Sequence, residues 1–343
     1  MAGSGTAHLR DDQDVVLSVR NLTVEYPGTG NERVHAVSDV SLDARRGETI
    51  GLVGESGCGK SSVAKAIMQL PPPTSGSVRL DGTELVGTGG AALRRHRRNL
   101  QMIFQDPISS LNPLRKVVDI VAEGLRIQGG SSTADIEKRC RAMIERVGLD
   151  PDTAPGRRPH EFSGGQCQRI SIARAMVVDP EVVICDEPVS ALDVSVQAQI
   201  INLLEDMKKR YQLTLLFIAH DLAVVKNVSD RVVVMYLGKI CEVAASDDLF
   251  AAPVHPYTRA LIRSIPEPDP TVPVADTVLS GDLPSPLNPP SGCRFRTRCT
   301  AAQQRCAAEE PEIREIRPGH FAACHFPLDV PPANPSTREA AER

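Results

Sequence analysis

Gly54-Glu55-Ser56-Gly57-Cys58-Gly59-Lys60-Ser61 fits the pattern G-x-x-x-x-G-K-[ST]. The apolar run before it, Thr49-Ile50-Gly51-Leu52-Val53, reads as a short buried strand. Ser61–Leu70 after it reads as a helix, stopped by Pro71-Pro72-Pro73. In a strand–loop–helix of this kind, glycines let backbone N–H groups close around phosphate oxygens. The helix start adds unpaired N–H groups and a partial positive charge. Lys60 is placed to reach the β- and γ-phosphates of a nucleotide, and the Ser61 hydroxyl to ligate Mg²⁺.

Outward from this loop, continuous apolar strands alternate with helical stretches. Val15–Val19 and Leu22–Val24 read as strands before a Pro27-Gly28 turn, and Gly76–Gly82 as a hairpin strand. Leu100–Phe104, Val182–Cys185 and Leu215–Ala219 read as strands, and Val196, Ile200, Leu203, Leu204, Met207 and Tyr211 mark one helix face. This alternation predicts an α/β fold with a parallel sheet covered on both faces. From residue 106 to about 160 helical periods dominate (Val117, Ile120, Val121, Leu125; then Ile136, Cys140, Met143, Ile144, Val147, ending at Gly148) and predict a helical insertion. Beyond Phe250 prolines rise and periodicity fades, so a small irregular appendage is expected over 251–328, with disordered ends at 1–14 and 329–343.

Composition narrows the functional class. The chain has 343 residues, 41% hydrophobic and 24% charged, with a formal net charge of -4, ordinary for a globular protein. The acidic balance argues against general nucleic-acid binding. The basic run Leu93–Arg98 therefore reads as a solvated helix face. No apolar run is long enough to span a bilayer, and residues 1–5 carry no apolar leader core, so a cytosolic protein is expected, with any membrane role coming through a partner.

Further polar groups fall where phosphate chemistry needs them. Asp186 ends an apolar strand, where its carboxylate can hold the Mg²⁺ shell. Glu187 follows directly and can orient or deprotonate an attacking water. A second glycine-rich helix start, Ser163-Gly164-Gly165-Gln166, looks equally suited to phosphate. One nucleotide per loop leaves this second loop without an obvious ligand.

Phe162-Ser163-Gly164-Gly165-Gln166 resembles the signature motif of ATP-binding cassette (ABC) ATPases, with Phe162 where Leu is usual. The other family elements occur in order: Gln105 matches the Q-loop, Ser190-Ala191-Leu192-Asp193 the D-loop and His220 the switch histidine. Tyr26 stands where the family stacks an aromatic on adenine, and Ser62 where Thr is commoner. The resemblance covers residues 15–250 and implies a P-loop ABC cassette, with a parallel-sheet core, an antiparallel β subdomain and a helical signature subdomain over about 106–178. It implies ATP and Mg²⁺ as ligands, with Glu187, His220 and Gln105 as catalytic or sensing groups and Ser61, Gln105 and Asp186 about the metal. It also implies head-to-tail dimerisation, in which Ser163 and Gly165 contact ATP held by a partner cassette.

Within that family, Phe104–Pro107, Ser110–Pro113, Ser190–Gln199, His255-Pro256-Tyr257 and Gly281–Pro286 look like the ATPase subunits of bacterial dipeptide and oligopeptide importers. Pro284–Pro290 resembles the F-type subunit. The resemblance implies a D-type second cassette, two permease subunits, a peptide-binding protein acting indirectly, and a place at the cytoplasmic face of the membrane. An importer of the same subgroup for nickel, glutathione or an opine is the alternative. A soluble cassette acting on DNA or ribosomes is disfavoured by the single cassette and the lack of a coiled-coil insertion.

There are nine cysteines. Cys58, Cys140, Cys167, Cys185 and Cys241 are scattered and read as small residues of a reducing compartment. Cys293, Cys299, Cys306 and Cys324 are crowded in a proline-rich stretch. Such a set can hold Zn²⁺ or an iron–sulfur cluster, and the resemblance favours a [4Fe-4S] centre.

Overall fold

The computed structural model describes residues 5–30, 32–265 and 281–329. β1 (Val15–Pro27) and β2 (Arg33–Arg45) form a long antiparallel pair, and β3 (Thr49–Val53) runs through the glycine loop into α1 (Lys60–Ile67). β4 (Ser75–Leu80), β5 (Thr83–Glu84), α2 (Gly90–His96) and β6 (Leu100–Ile103) follow. The insertion holds α3 (Pro107–Ser110), α4 (Val117–Gln128), α5 (Thr133–Arg146) and α6 (Gly164–Met176). The chain then alternates through β7 (Val182–Asp186), α7 (Val194–Tyr211), β8 (Thr214–Ile218) and α8 (Leu222–Val228). β9 (Arg231–Tyr236), β10 (Lys239–Ala245) and α9 (Ser246–Ala251) follow. The appendage contributes α10 (Pro256–Arg263), α11 (Gln304–Ala308), β11 (Arg314–Arg317) and β12 (His320–Ala322).

Two sheets organise these elements. The smaller is antiparallel, in the order β2-β1-β4-β5. The larger runs β11-β12-β10-β9-β3-β8-β7-β6, parallel from β9 to β6 and antiparallel beyond β9. Alternate side chains leave opposite faces of a strand. Val182, Ile184, Leu216 and Ile218 accordingly join the core beneath the small sheet and α1, while Val183, Cys185, Leu215 and Phe217 join the core beneath the helices. Phosphate loop, β7 end and β8 end therefore meet at one edge, the place where open parallel sheets bind ligands.

Local signals explain the helical insertion. α4 buries Val117, Ile120, Val121 and Leu125, and α5 buries Ile136, Cys140, Met143 and Ile144. The Ser132 hydroxyl caps α5 by accepting from the Asp135 N–H. The basic run at 93–98 begins in α2, which buries no side chain.

Three sequence expectations change. The hairpin β9–β10 was not singled out, because Val232–Tyr236 and Ile240–Ala244 are buried without a period that marks strands. His8 and Arg10, within the 1–14 stretch expected to be disordered, are anchored on the core, while Asp11–Asp14 are exposed. His8 is buried and donates to the Ser41 carbonyl at 2.7 Å, and Arg10 and Arg231 flank the fully buried Asp43 carboxylate. A buried carboxylate needs such cations, and one of them comes from the segment that looked solvated. The third change concerns the appendage, which is continuous with the core sheet, since β12 pairs with β10 through Glu242↔Ala322 and Val243↔Phe321. Residues 1–4 and 330–343, parts of the expected disordered ends, lie outside the described residues.

The join between core and appendage carries a pH signature. Glu242 is fully buried and accepts from the Val254 and His255 N–H groups and from His320 Nε2. His255 is also buried, and burial pushes its imidazole down to about 4 against the pull of Glu242. Its unfolded pKa lies near 6.5. Between those values the unfolded chain binds the extra proton, so this group's contribution is present above pH 6.5 and falls away as pH drops toward 4. Thermal stability is expected to fall over that window by an amount on the order of 2–3 kcal/mol from His255. His255→Asn should flatten the slope in melting experiments between pH 4 and 6.5.

Candidate nucleotide site

An open cleft of about 900 Å³ lies over the phosphate loop. The loop's backbone conformation is why glycine occupies it. Gly54 (φ +153) brings its Cα so close that a Cβ would stand 2.2 Å from the Met235 carbonyl oxygen, and at Gly59 (φ +104) a Cβ would stand 2.2 Å from the Ala36 carbonyl oxygen. Neither position tolerates a side chain, so the loop can curl tightly with its N–H groups inward.

Lys60 begins α1 and is 4% exposed. Its ammonium donates to the Gly54 carbonyl at 2.8 Å and the Glu55 carbonyl at 3.1 Å, closing the loop on itself. The Ser61 hydroxyl donates to Asp186 Oδ1 at 2.9 Å. Burial raises the Asp186 carboxyl pKa, opposed by the Ser61 hydrogen bond and reinforced by Glu187. A hydroxyl and a carboxylate at this spacing are hard oxygen donors, the chemistry Mg²⁺ takes. The residues present therefore fit a magnesium ion, which would neutralise the charge that burial disfavours.

Glu187 sits one residue past β7 with φ 47, a left-handed conformation uncommon outside glycine. Its N–H donates to the Ile218 carbonyl on β8. Glu187 Oε2 accepts from Gln105 Nε2 at 2.9 Å, and His220 Nδ1 lies 3.3 Å from the same oxygen. Two residues from the ends of β6 and β8 thus converge on one carboxylate oxygen of Glu187 at the end of β7, and backbone strain of this kind gathers at functional sites.

The cleft is lined by Tyr26, Ser56, Gly57, Gly59, Lys60, Ser61, Ser62, Gln105, Glu187 and His220, all singled out in the sequence. Asp186 joins them through Ser61. Three other loop positions turn away: Gly54 is packed on Met235, Cys58 is buried behind the loop, and the Glu55 side chain pairs with Arg298. Only their backbone can serve the nucleotide. Sequence reading missed Val34, Ala36, Asp106 and Pro286 in the lining. Pro286 belongs to the appendage, and its carbonyl accepts from the His35 N–H across 251 positions of sequence, a distance no local pattern signals.

The second glycine loop stands apart from this cleft. Ser163 is the N-cap of α6: its hydroxyl accepts from the Gln166 N–H and Gln166 Oε1 accepts from the Ser163 N–H. This reciprocal cap fixes an exposed helix start. A Cβ on Gly165 would stand 2.6 Å from Val196 Cγ1, so α6 and α7 approach closely there. Arg157 stacks over Phe162, 4.4 Å from its ring centre. Asp193 is the N-cap residue of α7, and it too lies outside the cleft lining.

Cys293, Cys299, Cys306 and Cys324 all lie in the appendage, and the Cys293 N–H donates to the Cys306 carbonyl. Burial pushes the Cys293 thiol up to about 11 and the Cys324 thiol to about 12. Among the described residues no three Cys, His, Asp or Glu side chains are grouped to hold a metal ion, so the [4Fe-4S] expectation finds no support in this arrangement.

Known proteins share both parts of this architecture. Residues 37–190 match the family described as ABC transporter, and residues 241–306 the family described as oligopeptide/dipeptide transporter, C-terminal region. A Brucella ovis protein provisionally named as a peptide import ATP-binding protein is 52% identical over 90% of this chain and 97% of its own length. The oligopeptide transport ATP-binding protein OppF of Haemophilus influenzae is 46% identical over 92% of this chain and 98% of its own. Among solved structures, the dimeric post-hydrolysis state of the ATP-binding cassette MJ0796, bound to ADP and Pi, superposes with TM-score 0.61 at 27% identity, covering 67% of this chain and 98% of that one. The cbiO1 cassette of Clostridium perfringens gives TM-score 0.60 at 28% identity, covering 69% and 91%.

Proposed function

The chain belongs to the ATP-binding cassettes of ABC transporters, and from that premise we propose that it is the ATP-hydrolysing subunit of an importer of dipeptides or oligopeptides. The observation that carries the catalytic part is the convergence of Gln105 and His220 on Glu187 Oε2 beside Lys60, Ser61 and Asp186. In this reading Lys60 leaves its loop carbonyls to meet the β- and γ-phosphates, and Ser61 and Asp186 would hold Mg²⁺, which when bound would supply charge neutralisation at the phosphates. Glu187 orients and deprotonates the attacking water, His220 donates to the γ-phosphate, and Gln105, bonded to Glu187, senses that water and would sense the metal. Tyr26 stacks on the adenine.

Ser163–Gln166 would complete the site of a D-type cassette in a head-to-tail dimer, because this capped, exposed helix start is separate from the chain's own cleft. The exposed apolar side chains of Ile108 and Leu114, just past Gln105, support contact with a permease subunit. No helix among the described residues is long and apolar enough to cross a membrane. In the proposed assembly the membrane role runs through two permease subunits, with this chain at the cytoplasmic face and a peptide-binding protein acting from the other side.

The test is ATP turnover of the assembled transporter in vesicles, stimulated by the binding protein loaded with peptide. Stimulation by nickel, glutathione or an opine in place of peptide would assign the alternative cargo. The finer reading of the four appendage cysteines as a [4Fe-4S] ligand set rests on their crowding in sequence. Protein purified without oxygen should then be brown with broad visible absorbance, and colourless, iron-free protein removes that reading.

A further inference from the structure

We infer that the C-terminal appendage sets the shape of the phosphate loop, and that Arg298 is a positioning residue for ATP binding. The loop's second residue, Glu55, is gripped from outside the cassette at two points. Arg298 Nη1 donates to Glu55 Oε2 at 2.6 Å and Nη2 to Oε1 at 3.0 Å, a two-pronged guanidinium–carboxylate pair. The Glu55 N–H donates to the Tyr257 hydroxyl at 2.9 Å. The Glu55 carbonyl in turn accepts from the Lys60 ammonium. The appendage therefore fixes the backbone of the residue on which the Lys60 ammonium rests before it turns to the phosphates.

The anchor is rigid. The Arg298 side chain is 5% exposed. Tyr257 is fully buried, packs edge-on against Tyr236 at 4.8 Å and lies tilted against Phe295 at 5.2 Å between ring centres. The Arg298 guanidinium lies 5.9 Å from the Tyr236 ring centre. On the other side of the loop, Leu283 approaches Gly57 and the Pro286 carbonyl accepts from the His35 N–H, so the appendage also forms part of the cleft wall. Glu55 itself points away from the cleft. Its carboxylate is absent from the cleft lining and is paired with Arg298 instead.

The inference rests on reading residues 54–61 as the ATP loop, and the experiment separates the two. ATP turnover of the assembled transporter is measured against ATP concentration, with binding of a fluorescent Mg-ATP analogue to the purified full chain alongside. Arg298→Ala and Glu55→Ala should each raise KM and the dissociation constant by roughly tenfold and change kcat less than about twofold. The double variant should be no weaker than the weaker single, because both changes remove one contact. Arg298→Lys should fall between, keeping the charge and losing the two-pronged geometry. If Arg298→Ala does not fold, Arg298→Lys and Glu55→Ala carry the test. An unchanged KM in these variants, or effects that multiply in the double, overturns the inference. Lys60→Ala is the control: unchanged binding there would sink the phosphate-loop reading itself, whereas lost binding there with normal Arg298 variants sinks only the clamp.

Discussion

Glu187→Gln is expected to lower ATP turnover of the assembled transporter by a factor of roughly a hundred or more and to leave ATP affinity within about twofold. The substitution keeps size and shape, so the strained backbone at φ 47 is not the variable. The contact from Gln105 to Oε2 is an N–H bond to a carboxylate oxygen, and an amide can still accept it if its carbonyl faces that way. What is lost is the base. Because ATP is then bound and not cleaved, the two-cassette state should persist, and sedimentation in Mg-ATP should show a stable pair of cassettes. A turnover equal to that of the parent protein removes Glu187 from the role assigned to it.

Ser163→Arg separates the chain's two glycine loops. The isolated chain should bind ATP within about twofold of the parent, because Ser163 is not part of its own cleft. The assembly should lose at least tenfold in turnover if, as proposed, the helix start meets the partner's nucleotide, because a bulky side chain then replaces a small hydroxyl there. Some stability also goes, on the order of 1 kcal/mol, with the lost cap to the Gln166 N–H. Weakened ATP binding by the isolated chain would instead place Ser163 in its own site and refute the shared-site arrangement.

How legible this site was depends on the range over which its parts act. The phosphate loop, Asp186 and Glu187 could be read because each sits at a strand end marked by an apolar run, and a strand end in a parallel sheet fixes where its next residue points. Gln105 and His220 also follow apolar strands, but a lone Gln or His there is usually structural or solvated; the ordered set of family motifs singled them out, and the structure brings both to one carboxylate oxygen. The helical insertion was legible because α4 and α5 each bury a face at period 3.6. The hairpin β9–β10 was not, since both strands are buried on two faces and lose the alternation that identifies a strand.

Long-range pairings were invisible in principle. Nothing in the sequence around residue 298 announces that its guanidinium meets Glu55, 243 positions away. Nothing near residue 10 announces that it compensates the buried Asp43. Both cases share a physical cause: an ion pair is specified by where two surfaces meet, and that is a property of the folded chain. The appendage was expected to be irregular because its prolines mask short elements, yet β12 lengthens the core sheet by hydrogen bonds that no composition argument can foresee.

The central claim is that the chain holds one ATP with residues 54–61 and completes another chain's site with residues 163–166. A photoreactive ATP carrying its reactive group on the γ-phosphate tests it directly in the assembled transporter, with labelled peptides located by mass spectrometry. The account predicts label on the Ser163–Gln166 peptide that survives Lys60→Ala in this chain and disappears when the partner cassette's phosphate loop is disabled. Label on that peptide that vanishes with Lys60→Ala and ignores the partner would contradict it.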